Sequence, residues 1–152
     1  MKKKEQNYID PEKINLFRIE AVESSISELE NPFNLEESID MKIAHTSAYN
    51  IKEKGFLLGL DIILNLKDRM PSDTSRFRYN FHFLIDNLEE MYSLTEENEP
   101  SFHRHFAATL AGISYSTLRG IIFEKLQNSS WGSIALPVIN PDNILESWIA
   151  IE

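Results

Sequence analysis

Histidine and carboxylate side chains are the groups in this sequence that could bind a metal ion or exchange protons. His103 and His105 are two positions apart in a segment predicted to be helical, so their side chains point in different directions. A zinc site needs ligands that converge, and the chain has no cysteine that could supply a thiolate. His45 and His82 fall in predicted strands and are interpreted as structural or surface residues. The sequence therefore predicts no metal site.

The sequence also contains no motif for covalent catalysis or for nucleotide binding. Serines are numerous, but none stands in a G-x-S-x-G sequence, the nucleophile elbow of many hydrolases. The chain contains neither a G-x-G-x-x-G motif nor a P-loop. Glu89 and Glu90 are adjacent, and no other residue is identified as their partner in acid–base catalysis. We predict a protein that is not an enzyme and that needs no cofactor.

Composition narrows the class of partner. The chain has 152 residues, of which 42% are hydrophobic, and a formal net charge of −9. This charge argues against nucleic acid, because such binding depends on lysine and arginine that neutralise phosphates, whereas a negative surface suits basic partners. No apolar run approaches the length of a membrane span, and the basic start is not followed by the apolar segment of a secretory signal. We predict a cytoplasmic protein without membrane insertion.

Alternating apolar and polar residues predict four strands after a charged start, which is interpreted as a flexible tail over residues 1–13. The clearest case has Phe77, Tyr79 and Phe81 on one side, with Arg78 and Asn80 on the other. Such alternation is typical of an antiparallel sheet that is covered on one face only. Residues 14–152 are predicted to form one domain whose strands lie near residues 14–22, 38–51, 56–67 and 76–86.

One long helix is predicted over residues 101–127, where apolar residues recur at spacings of three and four. They form two neighbouring lines along a helix of roughly 40 Å, whereas four paired strands span only about 15 Å. A single small sheet cannot cover both lines, so we predict an obligate oligomer, either a dimer or a tetramer. Its interface is assigned to Phe106, Leu110, Ile113, Leu118 and Ile122.

Several apolar residues lie outside the regular strand and helix patterns. They come from the connection after the first strand, from the loop that follows the long helix, and from a predicted short helix near the end of the chain. Two interpretations remain open: these residues line an apolar groove, or they close the protein's own core. The predicted groove consists of Phe33, Leu35, Trp131, Ile144, Leu145 and Trp148.

The block from Ala107 to Leu145 resembles the C-terminal half of SecB-type export chaperones. In that family a helix rich in small residues runs into a proline-containing loop and then a short final helix. The corresponding residues here are Tyr115, Arg119, Leu136, Pro137, Asn140 and Pro141. The order of four antiparallel strands before the helix also matches. The resemblance implies a SecB-like α+β fold over roughly residues 14–150, and a tetramer with its long helices between two outer sheets.

The resemblance also implies an ATP-independent holdase that keeps unfolded or precursor polypeptides competent for export. The predicted groove would then bind these clients. In the family, an acidic and apolar sheet face meets the translocation ATPase. Strand parity assigns the equivalent face here to Glu20, Asp61, Asp86, Leu57, Ile63 and Leu84. The alternative is an ordinary solvated face.

Two hypotheses of different kinds follow. The first is a chaperone that holds many unfolded polypeptides. The second is a module on the same scaffold that is dedicated to one partner or associated with a toxin–antitoxin pair, as some members of the family are. The breadth of polypeptides that the protein protects from aggregation discriminates between the two hypotheses, because a shared fold does not fix function.

Overall fold

The computed structural model describes residues 9–32, 38–66 and 73–146, together with the backbone of residues 149–151. The strands and helices of this part of the chain are β1 (Ile14–Ile26), β2 (Ile39–Asn50), β3 (Gly55–Leu66), β4 (Thr74–Ile85), β5 (Tyr92–Leu94), β6 (Pro100–Phe102), α1 (Arg104–Gln127), α2 (Pro141–Ile144) and β7 (Ile149–Ile151). Within the predicted tail, residues 11–13 form a short 3-10 turn before β1.

The main sheet is antiparallel and has the order β1-β4-β3-β2-β7. Its two central strands, β3 and β4, have alternate side chains that are almost completely buried, as the sequence pattern predicts. Phe77, Phe81 and Ile62 are each fully buried on this inner face, which α1 covers. The opposite, outer face carries mainly polar and charged side chains. The predicted antiparallel sheet with one covered face is therefore confirmed.

Strand β1 is longer than predicted and does not alternate regularly. Its pairing with β4 skips one residue between Leu16 and Arg18 and another between Ala21 and Glu23. Each skip is a β-bulge, which moves the following side chains out of the simple period of two. Phe17 consequently lies 6.0 Å from the ring of His82, which projects from the outer face. Simple alternation along the predicted strand would put Phe17, Ile19 and Ala21 on one face, and the bulges make this wrong for Phe17.

Helix α1 begins at Arg104, because the three residues from Pro100 to Phe102 pair with β5 instead. The helix packs on the inner face of the sheet through side chains that are at most 1% exposed: Phe106, Leu110, Leu118, Ile122 and Leu126. This placement corrects the assignment of Phe106, Leu110, Leu118 and Ile122 to a subunit interface, because their own sheet already covers them. Ile113 is half-buried, and the outward side of α1 is formed by Ser116, Gly120 and Phe123.

By length and composition, α1 is also apolar enough to cross a membrane. The statement that no apolar run approaches that length was therefore too strong. The core helix of a soluble protein can meet the same two criteria, and here the buried apolar residues of α1 pack in the core beneath the sheet. We attribute the hydrophobicity of α1 to that packing.

The segment after α1 crosses back over the core, and two of its side chains bond to backbone groups that are distant in sequence. Trp131 is 1% exposed, and its Nε1 atom donates a hydrogen bond to the carbonyl of Ser27 at 2.7 Å. One residue earlier, Ser130 Oγ accepts a hydrogen bond from the backbone N–H of Leu29, also at 2.7 Å. The segment after β1 and the crossing loop are thus held together.

Two side chains of α1 form hydrogen bonds to the second half of this loop. Tyr115 donates its hydroxyl to the carbonyl of Pro137 at 2.6 Å, and Arg119 donates Nε to the carbonyl of Leu136 at 2.6 Å. Burial raises the pKa of Tyr115 to about 12, so the phenol stays protonated and remains a donor over the physiological pH range. Four of the residues that carry the family resemblance therefore fasten the loop to the helix.

The end of the chain differs from the prediction. A helix was expected to run through Trp148 and Ile149, with its cap near Asp142. Helix α2 has only one turn, which is capped by Asn140 and ends at Ile144. Residues 149–151 instead pair with β2 as a short strand. Ile-Ala-Ile suits a strand, since β-branched residues favour extended backbone, and the neighbouring edge of β2 supplies hydrogen-bond partners.

Tyr115→Phe is expected to lower the free energy of unfolding by about 1–2 kcal/mol at pH 7, because the carbonyl of Pro137 loses its donor. It should also change the alkaline response. A group whose pKa is raised on folding contributes stability below its unfolded pKa of 10 and loses that contribution as the pH rises towards 12. Urea unfolding at pH 7 and pH 11 measures both effects. Tyr49→Phe, at an exposed position, is the control, and an identical alkaline loss in both variants would contradict the prediction.

Candidate functional site

The predicted groove does not form an open surface in the described part of the chain. Trp131 and Ile144 are each 1% exposed, and Leu145 is half-buried against the core. This burial is what the alternative interpretation predicts for Trp131 and Ile144: they close the core. Phe33, Leu35 and Trp148 lie outside the described residues. A client-binding role for those three positions stays a prediction.

The outer face of the sheet holds five of the six residues assigned to partner docking. Leu84 is 37% exposed, while Leu57 and Ile63 are half-buried between polar neighbours. Glu20 and Asp61 project from the same face, and Asp86 lies in the turn that follows β4. Strand parity therefore placed the strand residues on one face. Their role in docking a partner remains a prediction.

The carboxylates on this face are paired with cations. Arg76 makes two hydrogen bonds to Asp61, at 3.1 and 2.6 Å, and Arg78 lies 3.8 Å from the same carboxylate. Glu23 lies 3.7 Å from Arg76. Asp61 is consequently shielded, with only 16% of its side chain exposed. The outer face is a surface of mixed charge, so reversing the charge of Asp61 would disturb an internal ion-pair network as well as any partner contact.

Glu20 occupies a second polar cluster on the outer face. Its carboxylate accepts a hydrogen bond from Asn80 Nδ2 at 3.3 Å and lies 3.4 Å from His82 Nε2 and 3.1 Å from Arg18. The hydrogen bond from Asn80, followed by that from His82, holds the pKa of Glu20 below its usual value of 4.5. The carboxyl group of Glu20 is therefore ionised at neutral pH.

Asn80→Ala is expected to raise the pKa of Glu20 towards 4.5, since the mutation removes the largest cause of the depression. A carboxyl whose pKa is lowered on folding contributes stability above 4.5 and loses it as the pH falls through the folded pKa. Asn80→Ala should therefore reduce the acid sensitivity of folding in that range. Carboxyl NMR titration of Glu20 measures the shift, with Thr46→Ala as the control. A wild-type Glu20 that titrates at 4.5 would contradict the prediction.

A partly exposed aromatic cluster, which the sequence analysis did not identify, lies at one end of the inner face. Phe102 is at its centre, with ring centroids 5.2 Å from Tyr49, 5.0 Å from Phe56, 5.5 Å from Tyr92 and 5.8 Å from Phe106. Tyr49 is 49% exposed, whereas Phe56 and Phe106 are buried and form the base of the cluster. We call these five residues the aromatic shelf. It offers apolar surface above a rigid base.

The edge of β2 beside this shelf has backbone groups available for pairing. One side of β2 pairs with β3 over its whole length, from Ile39 to Asn50. On its other side, β7 pairs only with Met41, Lys42 and Ile43. No strand among the described residues pairs with that side of residues 44–50, which we call the open β2 edge. An exposed edge of this kind can accept a further strand.

The shelf and the open β2 edge can together bind an extended polypeptide. A strand added to β2 would form backbone hydrogen bonds, and its side chains on the inner side would lie beside His45, Ser47 and Tyr49. The Nδ1 atom of His45 is buried and has no hydrogen-bond partner within the described structure. No group of three His, Asp or Glu side chains suited to a metal ion occurs in the same described part of the chain.

Sequence reasoning missed this site for two reasons. Phe102 was assigned to the long helix, because it continues the apolar spacing of Phe106 and Leu110. Tyr49 alternates in step with Ile39, Met41 and Ile43 and so fits a covered strand face, but alternation cannot tell how far a helix covers that face. The available signal was Pro100, which favours extended backbone in the residue before it and stands two residues ahead of Phe102.

Comparison with known proteins supports the same architecture. No protein-family model matches this sequence, and no curated protein matches it. Among solved structures, the chain is similar to the SecB-like chaperone Rv1957 of Mycobacterium tuberculosis, solved in complex with a ChAD peptide from the HigA1 antitoxin Rv1956. The TM-score is 0.61 at 10% identity, and the match covers 84% of this chain and 92% of that one.

A match over most of both chains shows that this protein has the SecB-like fold. The predicted fold class is therefore confirmed: an α+β chain in which a four-stranded antiparallel sheet is followed by a long helix and a short helix. Beyond the four predicted strands, the short strand β7 pairs at the edge of the sheet next to β2. The sequence resemblance to SecB-type chaperones agrees with this result at the level of the fold.

Proposed function

We propose that this protein is a molecular chaperone that binds polypeptides in an extended, unfolded form without using ATP. The observation that carries the proposal is the open β2 edge beside the aromatic shelf, on a fold shared with a chaperone that was solved with a bound peptide. The proposal includes no catalytic step and no cofactor.

The physical requirement of such a protein is tolerance of many sequences. Backbone hydrogen bonds at a strand edge do not depend on side-chain identity, so they give affinity without strong selectivity. Apolar and aromatic surface adds binding energy for hydrophobic segments, which are the segments that an unfolded chain exposes. Tyr49 and Phe102 supply this surface next to the open β2 edge.

The finer proposal is a cytoplasmic chaperone for precursors that await export, with the outer sheet face available to a translocation ATPase. A dedicated partner-binding module is the second candidate. One observation favours it: the similar structure from Mycobacterium tuberculosis holds a peptide from an antitoxin. Both candidates require polypeptide binding and differ in the range of sequences that are bound.

Aggregation assays with several unrelated, chemically denatured proteins test the proposal. A chaperone should suppress the aggregation of most of them at stoichiometric concentration without ATP. A dedicated module should protect few or none while binding one partner tightly. Absence of both protection and measurable binding to any unfolded protein would overturn the proposal.

A variant at the site makes the assay specific. Tyr49→Ser should weaken polypeptide binding while the melting temperature stays near that of the wild type, because half of the tyrosine side chain is already in water. Leu94→Ser is a matched control, since Leu94 is 59% exposed but lies outside the aromatic shelf. If both variants lost the same amount of polypeptide affinity, the result would show that binding does not depend on the aromatic shelf.

We further propose a homotetramer in which the outward side of α1 meets another subunit. Phe123 is 37% exposed there, and Ser116 and Gly120 are exposed beside it. A Cβ atom added to Gly120 would meet nothing within 4 Å, so another backbone could approach the helix closely at that point. The apolar lines of the helix that motivated the prediction are thus divided between the sheet and this outward side.

A further inference from the structure

The last strand of the chain occupies the same edge of β2 to which an extended polypeptide would bind. Strand β7 runs antiparallel to β2, and its three residues pair with β2 in the register Met41 with Ile151, Lys42 with Ala150 and Ile43 with Ile149. The open β2 edge begins at the next residue, Ala44. The chain thus fills one end of the edge itself, and none of its described strands pairs with the remainder.

We propose that β7 is an intramolecular competitor for the polypeptide-binding edge, so that a bound polypeptide gains the full length of β2 only when β7 leaves. This inference rests on the proposed function. The bound polypeptide is an extended, uncharged segment rich in β-branched residues, because Ile-Ala-Ile is the sequence that the edge already accepts.

Geometry makes the two occupants mutually exclusive at one end. The open β2 edge has seven residues and so spans roughly 23 Å at about 3.3 Å per residue. A polypeptide that pairs antiparallel with this edge and continues towards Ile39 meets β7 at Ile43. Only one strand can use the hydrogen-bonding groups of residues 41–43 on that side, because each backbone group faces one neighbour.

The same geometry makes β7 a competitor that can be displaced. It has three residues, and its backbone pairing is with β2 alone among the described strands. Tethering raises its local concentration to the millimolar range, which favours the closed state. If β7 is closed about nine-tenths of the time, the apparent affinity for a polypeptide that needs the full edge falls about tenfold.

A reversible covalent link tests the inference in the folded protein. Lys42 and Ala150 face each other in the register, and directly opposite residues of an antiparallel pair have Cα atoms about 4.5–5.5 Å apart, within the range of a disulfide. The wild-type chain has no cysteine, so the double variant Lys42→Cys, Ala150→Cys forms one defined bond. The single variants, treated identically, are the controls.

Binding is measured with dye-labelled, reduced and carboxymethylated α-lactalbumin, a permanently unfolded protein. We expect the oxidised double variant to bind at least tenfold more weakly than the same protein after reduction. A chain that ends at residue 148 should bind about tenfold more tightly than the wild type. Oxidised and reduced forms are the same chain, so their comparison does not depend on the folding of the shortened variant.

The outcomes separate the inference from the function. Equal affinity of the oxidised and reduced forms, with clear binding by both, would overturn the inference and leave the chaperone proposal standing. Tight binding by the shortened chain and weak binding by the wild type would support both. No binding by the wild type, the reduced double variant or the shortened chain would overturn both.

Discussion

Replacing Trp131 with alanine is expected to lower the free energy of unfolding by about 3–5 kcal/mol, the usual effect of removing a large aromatic side chain from a core. Trp131 is 1% exposed and donates a hydrogen bond from Nε1 to the carbonyl of Ser27. The mutation leaves a cavity and removes the donor of that carbonyl. The crossing loop and the segment after β1 should therefore loosen together.

Urea unfolding of Trp131→Ala against the wild type measures the effect. Val138→Ala is the matched control, because Val138 belongs to the same loop and is 82% exposed. It should change stability by only a few tenths of a kcal/mol. The result decides between the two interpretations of Trp131 that the sequence left open. If Trp131→Ala kept normal stability and lost only polypeptide binding, Trp131 would belong to a binding groove instead of the core.

The second large effect is expected in α1, where Leu118→Asp and Phe123→Asp should have different consequences. Leu118 is fully buried against the sheet of its own chain. An aspartate there would be an unpaired buried charge, with an expected loss on the order of 4–5 kcal/mol, enough to unfold much of the protein. Phe123 lies on the outward side, so Phe123→Asp should leave each subunit folded and break the proposed tetramer.

Circular dichroism and multi-angle light scattering distinguish the two results. Leu118→Asp should lose helical signal and melt at a much lower temperature. Phe123→Asp should keep its helical signal while its mass falls. Gln127→Asp, at an exposed position on the last turn of α1, is the control for added charge. A folded wild-type monomer at micromolar concentration would contradict the proposed tetramer, and a native-like Leu118→Asp would contradict the packing of α1.

Local pattern determined much of the sheet. Alternation located β3 and β4 within one or two residues, and their inner faces are buried as predicted. The same pattern failed in β1, where two bulges shift the register. A bulge is an extra residue whose side chain is indistinguishable, in a single sequence, from the next member of the alternation. The exposure of Phe17 therefore depended on pairing with β4.

The candidate site was harder to predict than the fold. The sequence singled out apolar residues outside regular elements, but Trp131 and Ile144 are used to close the core. Tyr49 and Phe102 looked like core residues because they fit the periodic patterns. They meet at the end of the sheet, where Phe102 stacks on Phe106 of α1 while Tyr49 stays 49% exposed. Periodicity gives the direction of a side chain within its element. It does not give the boundary of the neighbouring element that would cover it.

The sequence by itself determined the order of four strands followed by a long apolar helix, because hydrophobic periodicity and proline positions act locally. It also identified Tyr115 and Arg119, which bind the loop carbonyls of Pro137 and Leu136. Only the tertiary structure decided which side of α1 packs against the sheet. It also decided that residues 149–151 pair with β2. Those outcomes depend on contacts between residues that are distant in sequence, where an available edge or face outweighs local propensity.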